Sequence, residues 1–300
     1  MHTSANKPVV SFGETLWDLL PTGKLAGGAP MNVAMSLHQL GEQVVFISAV
    51  GQDALGEELL AYIRTQGLDT SYIQRVGDYP TGRVHVDVSD PTEVRYDIEF
   101  PAAWDFIDLD EQNLQAAKDA RLMVYGSLAA RNENSRQTLL ELLPHASRRV
   151  FDVNLRQPHY TPEHLDLLMK QAHWVKLNHH ELRLITDWLG LGGDDEQRMR
   201  ALQQQYGLEA VCVTLGADGA MMWQQGQLFR QKGFQVKVKD TIGSGDAFLA
   251  AWISQMLAQK SPQQCLRYAC ALGALVASHK GANPTISPQQ IQTLINSQAA

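Results

Sequence analysis

The sequence predicts an α/β fold: a mainly parallel central sheet covered by helices on both faces, with a small β-sheet attached. Three observations predict it. Short apolar runs recur along the 300 residues. Amphipathic stretches of helical length separate them, as crossovers between parallel strands require. One region, 80–104, breaks the pattern and alternates with period two around a turn signal of its own.

In chain order, PVVSFG (8–13) is the first buried strand. VVFISAV (44–50), LMVYGS (122–127), RVFDVN (149–154), WVKLN (174–178) and AVCVTLG (210–216) are the others, and FQVKVK (234–239) is an alternating run of strand type. Helical periodicity covers 30–40, 54–66, 110–119, 133–146, 162–172, 179–189, 195–206, 245–258, 262–279 and 287–297. In 80–104, VHVDV pairs with VRYDI across SDPT as a hairpin, and 14–26 supplies a further strand or two beside it. That small sheet is expected to act as a lid over a pocket; the alternative is an edge hairpin or an interaction surface.

Composition narrows the class. Hydrophobic residues make up 44% and charged residues 19%, as in a globular protein with a large core. A formal net charge of −7 argues against non-specific nucleic-acid binding. Cys212, Cys265 and Cys270 form no CxxC pair and sit in apolar surroundings, so they read as core thiols of a cytoplasmic protein. The start, MHTSANKPVV, lacks a signal-sequence pattern, and no apolar run reaches membrane-span length. No GxGxxG follows the first strand, and GxxxxGK[ST] is absent, which disfavours a dinucleotide oxidoreductase and a P-loop kinase.

Ligands of such sheets gather at the carboxyl ends of the strands. Those ends are Glu14 to Asp18, Asp152 to Arg156, Asn178 to Glu181, Thr214 to Gly219 and the 240–246 turn. The last carries most chemistry. In KDTIGSGDAFLAAW (239–252), Gly243, Ser244 and Gly245 open a helix whose first N–H groups lack partners. Such a turn is a phosphate cradle. Asp246 would repel a phosphate, but beside one it can take the proton of an attacking hydroxyl. The bland reading is a helix cap and a turn. In LAGGAPMNVAMSLHQLG (25–41), Gly27 and Gly28 allow close approach to a ligand, and Asn32 offers a donor and an acceptor to a polyhydroxylated partner.

Together these turns resemble the PfkB, or ribokinase-like, family of sugar kinases. GGAPMNVAMSLHQLG followed by Gly51 matches the amino-terminal signature, and DTIGSGDAF (240–248) the carboxyl-terminal one, with Ser244 where alanine is commoner. NHHE (178–181) matches N-x-x-E and TLGADG (214–219) the nucleotide-side turn; Ala251 stands where many members have glycine. The resemblance covers nearly the whole chain. It implies a three-layer α/β/α ribokinase-like fold over 1–300 as one domain, with lid segments at approximately 14–26 and 80–106.

It also implies residue roles. Asp246 would be the catalytic base, with Gly243, Ser244 and Gly245 as anion hole. Asn178 and Glu181 would organise Mg²⁺ through waters, and Asn178, Thr214, Gly216, Gly219, Gly243, Gly245 and Asn283 would receive ATP. A monovalent cation such as K⁺ would sit near Asp240 and Ile242. DVNLRQP (152–158) resembles the D-x-N-x-R segment of the fructokinase and ketodeoxygluconate kinase branches, with Asp152, Asn154 and Arg156 on one face if the strand continues. Arg156 then reaches phosphates or sugar, or else pairs with Asp152. Lys176 adds charge near the phosphates or snorkels from a strand end. His179 and His180 read as surface residues.

For the acceptor, GETLWDLLP (13–21) with GGAPxNVA looks like the fructokinase branch. Asp18, Gly27, Gly28, Asn32, Tyr96 and Asn154 would bind the sugar with Asp246. Arg83, Phe100 and Trp104 lie in the same lid region, with Trp104 as core or dimer contact. The leading expectation is ATP-dependent phosphorylation of fructose. A 2-keto-3-deoxygluconate kinase drawing on Arg83 or Arg156 comes next, then a nucleoside kinase. A non-catalytic sugar or nucleotide sensor is the alternative of another class. The implied partners are a small-molecule sugar and ATP, without nucleic acid or membrane, and the lid is the surface through which a homodimer would form.

Overall fold

The computed structural model describes residues 7–21, 23–87 and 95–298, without the side chains of 86, 87, 95 and 96. β1 (Val9–Phe12) leads through β2 (Leu16–Leu20) and β3 (Gly23–Gly27) into α1 (Ala29–Gln39). β4 (Val44–Gly51), α2 (Ala54–Thr65) and β5 (Ile73–Val76) follow, then β6 (Gly82–Asp87) and β7 (Arg95–Ile98). Next come α3 (Glu111–Asp119), β8 (Leu122–Gly126), α4 (Glu133–Leu142), β9 (Arg149–Asp152), α5 (Pro162–Met169) and β10 (Trp174–Asn178). α6 (His179–Trp188) and α7 (Asp195–Tyr206) precede β11 (Ala210–Thr214), β12 (Ala220–Gln224) and β13 (Gln227–Gln231). α8 (Ser244–Leu257), α9 (Pro262–Ala277) and α10 (Pro288–Ser297) complete the order.

The central sheet runs β13-β12-β11-β10-β9-β8-β1-β4-β5. It is parallel from β11 to β5, and β12 and β13 add antiparallel strands at one edge. Strand periodicity explains why the buried runs are apolar throughout. Val10 and Phe12 of β1, Val175 and Leu177 of β10 and Val211 and Val213 of β11 join one core, with Leu139 of α4 and Leu182 of α6. Their alternates, Val9, Trp174, Ala210 and Cys212, join the opposite core, against Leu37 of α1 and the Ala-rich α8 and α9. The three cysteines are buried free thiols. Among the described residues no helix is long and apolar enough to cross a membrane.

A second, four-stranded sheet has the order β3-β2-β6-β7. β2 pairs antiparallel with β3 and parallel with β6, and β6 pairs antiparallel with β7. The expected hairpin of 80–104 is therefore present, with Val84 opposite Ile98; its SDPT turn lies outside the described residues.

One edge of the central sheet differs from expectation. FQVKVK forms no strand. Its alternation finds no neighbouring strand among the described residues: the Lys239 and Asp240 N–H groups donate to the Ala277 carbonyl at the end of α9, and Gln235 N–H donates to the Gln298 side chain. The strands in that part of the sheet are β12 and β13, joined by a two-residue turn in which Gln225 (φ 52°) and Gly226 (φ 75°) are both left-handed, as a tight hairpin requires.

Candidate active site

The carboxyl end of the central sheet and the inner face of the small sheet bound a cleft of about 780 Å³. Every second residue of β2, Leu16, Asp18 and Leu20, lines it, with Val84 and Ile98 from the paired strands. From the body come Glu14, Gly28, Asn32, Asn154, Arg156, Lys176 and the turn from Thr241 to Asp246.

Two turns build the floor. Gly28 caps α1 at φ 113°, and a Cβ there would lie 2.4 Å from the Glu14 carbonyl oxygen, so only glycine lets these segments cross. Asn32, in the first turns of α1, is 4% exposed. Gly243 is the N-cap of α8 in a left-handed conformation (φ 74°), and a Cβ there would lie 2.5 Å from the Ala282 carbonyl oxygen. The first intrahelical bond of α8 runs from Ala247 N–H to Gly243. Ser244 N–H donates to Thr241, so Gly245 and Asp246 supply the N–H groups left over at this helix start. The Ser244 hydroxyl turns away, donating to the Gly273 carbonyl of α9 at 3.0 Å.

Asp246 joins the two turns. Its Oδ2 accepts from Asn32 Nδ2 at 2.8 Å, and Asn32 Oδ1 accepts from Asn283 Nδ2 at 2.8 Å. Asp246 is half-exposed to the open cleft yet hemmed in by protein. That burial raises its carboxyl above the usual range, the Asn32 hydrogen bond pulls it back, Asp152 raises it, and Lys176 and Arg156 lower it. Glu14, 3% exposed, is pushed up to about 7 by burial, and its Oε2 has no hydrogen-bond partner. Burial pushes Asp18 up to about 6. The positive charge of Arg156 opposes the rise at all three carboxyls.

The D-x-N-x-R segment does not stay extended. β9 ends at Asp152, and Asn154 turns left-handed (φ 39°). Asp152 faces inward and pairs with Lys176 Nζ at 3.0 Å rather than with Arg156, which is exposed and lines the cleft. Lys176 does not snorkel outward; it is 7% exposed. Burial alone would depress its ammonium, but Asp152, Glu181 and Asp246 outweigh that and hold it raised.

Asn178 and Glu181 form a capping box at the start of α6. Glu181 N–H donates to Asn178 Oδ1 at 2.9 Å, and the Glu181 carboxylate accepts from Asn178 N–H at 2.7 Å and Leu155 N–H at 2.8 Å. Burial raises Glu181, with Lys176 opposing. His179 pairs with Asp195 on the surface side. Thr214 lies beside Asn178 in register, at the end of β11. Gly216 and Gly219 flank the short turn after it, where Gly219 packs against the backbone of Gln231 and Gly233. These three do not line the main cleft. Gly27 adjoins Asp18, since a Cβ there would lie 2.3 Å from Asp18 Oδ2.

Around the small sheet, Arg83 pairs with Glu99 at 2.8 Å and does not line the cleft. Trp104 is fully buried in core, and Phe100 is exposed against Arg131. The side chain of Tyr96 lies outside the described residues. Sequence reasoning placed Glu14 at a strand end and within GETLWDLLP but gave it no role of its own, because residue type alone does not show that its carboxyl is buried.

Residues 9–290 match the family described as pfkB family carbohydrate kinase. The chain is 30% identical to a fructokinase of Escherichia coli, over 93% of this chain and 96% of that one. It is 27% identical to a 2-dehydro-3-deoxygalactonokinase of Haloferax volcanii, over 96% of each. Its fold superimposes on the crystal structure of a fructokinase with bound ATP from Xylella fastidiosa, with a TM-score of 0.85 at 24% identity over 98% of this chain and 99% of that one. The chain belongs to the pfkB family of carbohydrate kinases and is a sugar kinase.

Proposed function

We propose that this sugar kinase transfers the γ-phosphoryl group of ATP to a hydroxyl of fructose, with Asp246 as general base. The observation that carries the reading is the meeting of the two turns: Asp246 faces the cleft from the α8 start and is held by Asn32 of α1. The sugar lies against Asp18, Asn32, Asn154 and the inner face of the small sheet, which acts as a lid. As the sugar oxygen bonds to phosphorus, its proton passes to Asp246, and the bond to the leaving ADP oxygen breaks. The α8 start, with the N–H groups of Gly245 and Asp246, faces the charge on the transferring group, and Lys176 and Arg156 add positive potential. Ser244 shapes the turn rather than donating to the phosphoryl group, because its hydroxyl is committed to the Gly273 carbonyl and its N–H to Thr241.

Thr214, Gly216, Gly219, Asn178 and the 281–283 segment form the nucleotide side. Among the described residues no cluster of three histidines, cysteines or acids could grip a metal directly. The Glu181 oxygens already accept two backbone N–H groups. This donor set fits Mg²⁺ carried with the polyphosphate and held by Glu181 and Asn178 through waters. When bound, Mg²⁺ supplies charge neutralisation on the phosphates. The main chain around Asp240 and Ile242, where the Asp240 carboxylate accepts from the Ile242 and Gly281 N–H groups, is the place for a monovalent cation such as K⁺.

The acidic sugar side favours a neutral acceptor. Asp18, raised only to about 6, repels a substrate carboxylate at neutral pH, and Arg83 is spent on Glu99, which leaves Arg156 to offset that repulsion. A coupled ADP-release assay over fructose, ketodeoxygluconate, ribose and adenosine tests the substrate. Turnover should be highest with fructose; strong turnover of ketodeoxygluconate with none of fructose would overturn the assignment. Asp246→Asn should cost on the order of 10²–10⁴ in turnover with both affinities within a few-fold, and near-normal turnover would remove the base.

A further inference from the structure

We infer that Asn283 is a positioning residue for the catalytic base and acts on it through Asn32. The inference rests on Asp246 being that base. An asparagine amide has two faces, one donor and one acceptor, and which way it points must be fixed by its neighbours. Asn32 is fixed on both sides. Its Oδ1 accepts from Asn283 Nδ2 at 2.8 Å, which leaves Nδ2 to donate to Asp246 Oδ2 at 2.8 Å. Were the amide turned over, its oxygen would face the Asp246 carboxylate, and an attraction would become a repulsion.

Asn283 is held for this task by its backbone. Gly281 N–H donates to Asp240 Oδ2 at 3.1 Å, and Ala282 packs against Gly243. The segment after α9 is therefore tied to the turn that opens α8. The Oδ1 of Asn283 is buried without a partner, a cost the fold bears while Nδ2 is aimed at Asn32. Nothing in this arrangement requires contact between the Asn283 side chain and a ligand. Its effect is on the ionisation and aim of Asp246.

A hydrogen bond donated to a carboxylate favours the charged form and lowers its pKa. Losing the donor orientation of Asn32 therefore moves the acid limb of activity to higher pH. The other charges that face Asp246 stay in place: Glu14 after β1, Asp18 on β2, Asp152 on β9, Arg156 in the following loop and Lys176 on β10. Asn283→Leu keeps the number and branching of side-chain heavy atoms and adds no charge, so a change in that limb reports the lost donor.

The experiment measures kcat/KM against pH for wild type, Asn283→Leu, Asn32→Ala and the double variant, with Asp246→Asn beside them and thermal unfolding as a check on folding. Asn283→Leu should move the acid limb up by about one pH unit, as expected for a weakened hydrogen bond to a charged group. In the Asn32→Ala background the same change should move it no further, because the path through Asn32 is already cut. An acid limb that stays in place in folded Asn283→Leu, or a shift that persists without Asn32, overturns the inference even if Asp246→Asn is inactive. If Asp246→Asn keeps near-normal turnover, the underlying assignment of the base falls instead. Should Asn283→Leu fail to fold, Asn283→Ala replaces it: it too has no donor for Asn32 Oδ1 and adds no charge, and the same two outcomes decide.

Discussion

Glu14 shows what a buried acid does to a cleft and to the stability around it. Its carboxyl titrates near 7 in the fold, raised from 4.5 by burial. The folded protein therefore binds its proton more tightly than the unfolded chain does. The stability tied to the neutral carboxyl is complete below about 4.5 and falls as pH rises to about 7, beyond which the loss is full. The shift of about 2.5 units corresponds to roughly 3 kcal/mol. Glu14→Gln should thus be more stable than wild type in urea at pH 8, with the gap closing toward pH 4.5; a gap that is flat across this range would contradict the assignment. Asp18, near 6, adds a smaller slope of the same sign. Of the residues at this scale, Asp246, Asn32 and the glycines were legible because their spacing is a long motif. Glu14 and the link through Asn283 were not, since they depend on which way buried side chains turn.

The capping box of α6 shows that an element can serve the fold and the site with the same atoms. Asn178 caps the helix through its side chain while its N–H donates to Glu181. Asn178→Ala should therefore destabilise the protein by about 1 kcal/mol, and Asn178→Asp, which can still cap, by a few tenths, as read from urea midpoints. Equal losses for both would mean that the cap contributes nothing here. Apolar runs made β1, β4 and β8 to β11 legible, because strands buried on both faces admit little else. β5 (IQRV) and β13 (QLFRQ) escaped notice because they are short, partly exposed and mixed in polarity. FQVKVK shows the converse error: period two describes a strand only if another backbone lies alongside.

The two sheets meet at the cleft, and this arrangement of the whole molecule decides how it responds to ligand. The body sheet is buried between two cores, whereas β3 is largely exposed and the small sheet meets only small clusters, Leu16 of β2 in one and Trp17 in another. Sugar and nucleotide together should slow amide hydrogen exchange in β2, β3, β6 and β7 by more than in β8 to β11, where exchange already requires global opening. Unchanged exchange in the small sheet would argue against its action as a lid. Architecture of this kind was legible from the alternation of runs, but the parallel pairing of β2 with β6 was not, because it joins segments with three strands and two helices between them. The same distance along the chain has a consequence for synthesis. Asn32 and Asp246 stand 214 positions apart, and Asn32 and Asn283 stand 251 apart. A ribosome must release almost the entire polypeptide before these partners can meet, so a growing chain carries its first signature long before it can phosphorylate anything.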